Sequence, residues 1–93
     1  MTSLISVDRN TIRHDAARGG VGFRYSDGAR ARRAFVSDAT VAGLLRVRAL
    51  TAAQAEGFIR NIALKLALFL ANRRESRPNE EVQLSLDDLR QIR

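Results

Sequence analysis

The spacing of apolar positions changes along the chain, and the changes mark its elements. Leu4, Ile5 and Val7 predict a short first strand, and Asp8 to Gly20 reads as a polar connection. Val21, Phe23 and Tyr25 then alternate with Gly22 and Arg24, Ser26-Asp27-Gly28 supplies a turn, and Ala29 to Val36 continues as a second strand, so this stretch predicts a β-hairpin. Beyond it the spacing becomes helical. Ser37 can accept from the first-turn amides of a short helix with Val41, Leu44 and Leu45 on its apolar edge, and Val36 can staple onto Val41. Thr51-Ala52-Ala53-Gln54 is a capping box, and the helix it opens is expected to run to Arg74, where Arg73, Arg74, Arg77 and Pro78 stop it. Val82, Leu84 and Leu86 alternate as a last strand, and Ser85-Leu86-Asp87-Asp88 caps a closing turn with Leu89 and Ile92 inward. The expected architecture is a single small α+β domain over residues 1–93, an antiparallel hairpin plus flanking strands packed against one short and one long helix.

Side-chain chemistry bears on the hairpin register. A two-residue turn at Asp27-Gly28 sets Tyr25 opposite Arg30 and Phe23 opposite Arg32, mixing cations into the apolar face. A three-residue loop with Gly28 left-handed sets Tyr25 opposite Ala29 and Phe23 opposite Ala31, with Phe35 further along the same face. The second register keeps one face apolar and gathers Arg24, Arg30 and Arg32 on the other as a candidate basic surface. It leaves Arg33 on the apolar side.

The long helix carries more apolar surface than one buried face needs. At about 100° per residue, Phe58, Ile59, Ile62, Leu66, Phe69 and Leu70 share roughly a third of the circumference and form the expected core face. Leu64 and Leu68 fall on the far side with Ala67 and Ala71, while Asn61, Lys65 and Asn72 make a narrow polar seam. Either another element of the chain covers Leu64 and Leu68, or they form a contact with a second copy of the protein. A membrane span is disfavoured, because the apolar run from Ile62 to Ala71 is broken by Lys65 and is shorter than the roughly 20 residues a bilayer requires.

Composition narrows the chemistry. The 93 residues carry a formal charge of +6, and the only histidine, His14, has no cysteine or second histidine to join it in a metal site. Asp87 and Asp88 are adjacent and diverge on a helix, which suits a helix start better than paired-carboxylate catalysis. Gly19-Gly20-Val21-Gly22 leads into a strand and lacks a phosphate-loop lysine, so it reads as a flexible lead into the hairpin. No catalytic residue, metal or cofactor is expected. The absence of cysteine and of a signal-like N-terminus fits a cytoplasmic chain. Lys65 is the only lysine among the 16 basic side chains, so the basic charge has two readings: attraction to nucleic acid or acidic surfaces, or an Arg-rich and Ala-rich composition without a functional cause.

The order Ile5-Ser6-Val7, a polar gap, Val21-Gly22-Phe23, Asp27-Gly28, Phe35-Val36-Ser37, Leu44, a long helix and a last alternating strand resembles the small bacterial domain-of-unknown-function family 1488. The resemblance covers most of the chain and implies a compact α+β protein with no established activity. Of the polar residues typical of that family's long helix, only Arg60 and Asn61 have counterparts here. Together these features lead to the expectation of a non-enzymatic binding or regulatory module that forms a homodimer, or other homo-oligomer, through Leu64 and Leu68. The alternative is a sequence-independent nucleic-acid-binding protein using Arg24, Arg30 and Arg32.

Overall fold

The computed structural model describes residues 5–27, 30–72 and 81–92. Within them the order is β1 (Ile5–Asp15), β2 (Gly20–Asp27), β3 (Arg30–Ser37), α1 (Asp38–Leu45), α2 (Ala52–Asn61), α3 (Ala63–Asn72), β4 (Val82–Gln83) and α4 (Leu86–Ile92). The strands form one mixed sheet in the order β1-β2-β3-β4, antiparallel except for the β3–β4 pair, and the fold is α+β as expected. The expected helix stop at Arg73 to Asn79 and the centre of the hairpin turn at Gly28 lie outside the described residues.

The β2–β3 register differs from both registers weighed from the sequence. Phe23 lies opposite Ala34, Tyr25 opposite Arg32, Arg24 opposite Arg33 and Val21 opposite Val36. Ser26 and Asp27 therefore belong to the strand, paired with Ala31 and Arg30. The inner face is set at the helix end of β3: Val36 has to point inward to meet Val41, and both are fully buried. Alternation then places Ala34, Arg32 and Arg30 on the inner side and Phe35, Arg33 and Ala31 on the outer side. Arg32 is half-buried opposite Tyr25, where a long aliphatic stem can cover apolar surface. Phe35, expected under the helices, lies on the outer face instead.

The polar connection expected after Val7 is mostly strand. β1 continues to Asp15, with an irregularity between Asp8 and Arg13 where it gains residues relative to β2. That segment satisfies itself locally: the Asp8 carboxylate accepts from the Asn10 N–H at 3.1 Å, and the Thr11 hydroxyl donates to the Asp8 carbonyl at 2.7 Å. The hydroxyl oxygen of Thr11 also accepts from the Arg24 N–H at 2.8 Å, tying the irregular segment to β2. Ile12 is thereby returned to the core, fully buried.

The helix caps form as the sequence indicates. Ser37 accepts from the Thr40 N–H, and Thr51 and Gln54 make the reciprocal capping box at 3.1 and 2.9 Å. Ser85 and Asp88 do the same for α4, so Leu86 begins a helix and the last strand keeps only Val82 and Gln83. The single long helix is interrupted at Ile62, whose φ of −102° and ψ of 10° leave one residue between α2 and α3. No proline or glycine marks this break. Its cause is tertiary: α2 attaches to β1 at Ile12 and His14, α3 lies beside Ile5 and Val7, and the irregularity in β1 falls between the two attachments. The buried stripe is Ala55, Ile59, Ala63, Leu66, Ala67 and Leu70, whereas Phe58, Ile62 and Phe69 are only half-buried. Alanines let the helices approach the strand closely, which rotates the core face away from the larger side chains. They leave the fully buried Ile59 and Leu66 to fill the core with Leu89 from α4.

Two glycines have opposite expected responses. A Cβ at Gly20 would sit 2.4 Å from both the Val36 carbonyl oxygen and the Phe35 ring, so Gly20→Ala is expected to destabilise by about 1–3 kcal/mol. Gly57, inside α2, has nothing within 4 Å of such a Cβ. Gly57→Ala is therefore expected to stabilise by about 0.5–1 kcal/mol. Urea denaturation of the two variants measures both signs.

Candidate interaction surfaces

The outer face of the sheet presents an aromatic ring packed on glycine. Phe35 is opposite Gly22 and reaches across Gly20, where a Cβ would fall 2.4 Å from the ring, whereas one at Gly22 would only touch it at 4.0 Å. The Arg18 guanidinium lies 4.0 Å from the centre of that ring, and Phe35 is only 6% exposed despite its outward direction. Arg18 is in turn gripped by Glu81 through two hydrogen bonds of 3.0 and 2.5 Å, and Gln83 donates to the same carboxylate at 2.7 Å. The bidentate bond from Arg18 holds the Glu81 carboxyl below the usual glutamate range, and the same bond raises the Arg18 guanidinium above its ordinary value. The turn between β1 and β2 is thus clamped to the residue that leads into β4. The glycine run read as a flexible lead has a packing role at Gly20, and Gly19 takes the positive φ of 71° that ends the turn.

The three arginines expected to form one basic surface do not share a face. Arg24 points outward, whereas Arg30 and Arg32 fall on the inner side of β3 because the register pairs them with Asp27 and Tyr25. Besides Arg18, the outward cations on the strands include Arg13, opposite Gly22, and the directly facing pair Arg24 and Arg33, all exposed. Arg33, the misfit of the expected register, is accounted for by the observed one.

At the opposite edge, α2 covers the second half of β1. The Glu56 carboxylate accepts from the His14 N–H at 2.9 Å, Arg60 donates to the Ile12 carbonyl at 3.4 Å, and the two side chains face each other at 3.5 Å. These contacts occupy backbone groups that an edge strand would otherwise offer to another chain. His14 also meets Asp38 at 2.8 Å through its Nε2, joining β1 to the first turn of α1. Among the described residues no group of three or more His, Cys, Asp or Glu side chains is placed to hold a metal ion. The pattern of polar residues gave no hint of these straps, since their partners lie 24 to 48 residues apart.

Beside the first half of β1 lies α3, and among the described residues no side chain straps the backbone of Ile5 to Val7 in this way. Ile5 and Val7 line a recess of ≈210 Å³ with Ala63, Leu64 and Ala67, and Ser6 and Arg9 at its rim. Beside it Leu64 is 71% and Leu68 62% exposed, so among the described residues no element of the chain covers them. Of the two coverings the sequence allows, the intramolecular one is not made by the described residues. No helix of the described residues is long and apolar enough to cross a membrane.

No protein-family model, curated protein or solved structure matches the chain.

The Arg18–Glu81 clamp has a definite pH signature. Because the Glu81 carboxyl is held low in the folded state, its contribution is present above the ordinary glutamate value of about 4.3 and is lost as pH falls through the lower folded value. The stability difference between the wild type and Glu81→Gln is therefore expected to be larger at neutral pH and to shrink in acid. Paired urea titrations at neutral and acidic pH measure it.

Proposed function

We propose that the protein is a non-enzymatic binding module of the cytoplasm that associates with a second copy of itself through α3 and the open half of β1. The observation that carries this reading is the exposure of Leu64 and Leu68 directly beside that strand edge. Isolated exposed leucines are common on protein surfaces, but two on consecutive turns next to a recess lined by Ile5, Val7, Ala63 and Ala67 make a contiguous apolar patch. A second copy suits it because an edge strand is self-complementary. The same strand rotated by a two-fold axis offers matching antiparallel hydrogen bonds, the usual symmetry of homodimers. The α2 straps restrict such pairing to the Ile5–Asp8 half. A domain of this size with a mainly aliphatic core also gains from burial against a copy. The similarity to domain-of-unknown-function family 1488 enters this proposal only as to fold, and gives no activity.

Replacing Leu64 and Leu68 together with Glu tests the reading. Both side chains are exposed within the chain, so the double variant is expected to keep its circular dichroism and its thermal unfolding. Light scattering is expected to give a dimer mass for the wild type and a monomer mass for the variant. A wild type that stays monomeric at millimolar concentration, or a variant that remains dimeric, contradicts the proposal.

A further inference from the structure

We propose a second, independent surface: the outer face of the sheet binds the phosphodiester backbone of single-stranded nucleic acid through Arg13, Arg24 and Arg33, without reading bases. Arg24 and Arg33 stand directly opposite each other on β2 and β3, and Arg13 lies on β1 opposite Gly22, two residues along. Strand spacing of about 4.8 Å and a rise of about 3.4 Å per residue put Arg13 and Arg24 about 8 Å apart at their bases. All three are exposed, and among the described residues no carboxylate lies within ion-pair distance of any of them.

Like charges directly opposite on neighbouring strands destabilise a sheet, and here the nearby acids are otherwise engaged. Asp8, across from Arg24, accepts from its own turn, Asp15 accepts from the Ala17 and Arg18 amides, and Glu81 is held chiefly by Arg18, with Arg33 acting on the same carboxylate only through its charge. Asp8 and Glu81 offset part of the repulsion between these arginines, and an anion laid on this face relieves the rest. Guanidinium forks match phosphate oxygens in pairs, and Gly22, which lacks a side chain, leaves room between Arg13 and Arg24 for a linear polyanion. Beside Arg24 the face opens into a shallow concavity of ≈460 Å³ whose lining combines Ser6, Ser26, Ala31 and Tyr25 with the carboxylate residue Asp8, so the phosphate positions lie on the Arg13 and Arg33 sides of Arg24. Base stacking has no platform: Phe23 and Tyr25 point inward, and the outward Phe35 is already covered by Arg18. Recognition is thus confined to the backbone, which is independent of sequence.

Fluorescence anisotropy with labelled single-stranded 20-mers of dT and of dA tests this. Three phosphate contacts give a slope of log affinity on log salt of about −2.1, an affinity loss of about 20-fold between 50 and 200 mM, with dT and dA alike. The triple variant Arg13→Thr, Arg24→Thr, Arg33→Thr is expected to lose nearly all of that slope. A control triple of equal charge, Arg46→Asn, Arg48→Gln, Arg90→Gln, is expected to keep it. Should the first triple fail to fold, Arg24→Thr and Arg33→Thr singly are each expected to reduce the slope by about 0.7. Equal weakening by both triples, no binding at low salt, a strong preference for one base, or competition by poly-glutamate as effective as by oligonucleotide each overturns the proposal.

Discussion

The pairing of β2 with β3 is the constraint on which the rest of this structure depends. With Val21 opposite Val36 and Phe23 opposite Ala34, one side of the sheet is apolar where the helices cover it, and the ring of Phe23 faces a methyl group. Moving the pairing to set Phe23 opposite Ala31 would bring Ala31, Arg33 and Phe35 to the helix side and turn Val36 out. It would also remove Val36 from Val41 and so unseat α1, whose N-cap is the next residue, Ser37. The register therefore fixes the core, the direction of the first helix and the identity of every outward side chain at once.

From that constraint follow two devices that close the domain. On the outer face a phenylalanine lies on glycine and is covered by an arginine clamped to Glu81, so the β1–β2 turn and the start of β4 are joined over a ring that would otherwise face water. At the β1 edge, Glu56 and Arg60 bond the backbone at His14 and Ile12, and Asp38 holds the His14 ring. Exposed ion pairs of this kind contribute little individually. Their effect here is positional: they decide which half of the edge strand is closed and which remains open.

Signals carried by neighbouring residues are legible in the sequence, and those that depend on distant partners are not. The caps at Ser37, Thr51 and Ser85 were legible because each is a bond between residues three apart. Leu64 and Leu68 fall on the exposed far side where helical geometry places them, but Ala67, expected beside them, is buried because the core face is rotated toward the small residues. Apolar continuity along β3 favours Ala29, Ala31 and Phe35 as the inner set and so gathers Arg24, Arg30 and Arg32 on one face, which the observed register does not do. The decisive fact, that Val36 has to reach Val41, lies at the other end of the strand. The extension of β1 through Arg9 to Asp15 and the break at Ile62 had no local marker, since both arise where an irregular strand meets the helices laid against it.

Cross-strand nuclear Overhauser effects between backbone protons of β2 and β3 test the central claim most directly. The expected contacts join Phe23 to Ala34 and Tyr25 to Arg32, with Arg24 facing Arg33. Contacts joining Phe23 to Ala31 and Tyr25 to Ala29 would contradict the account, because they would return Phe35 to the core and Arg32 to the outer face.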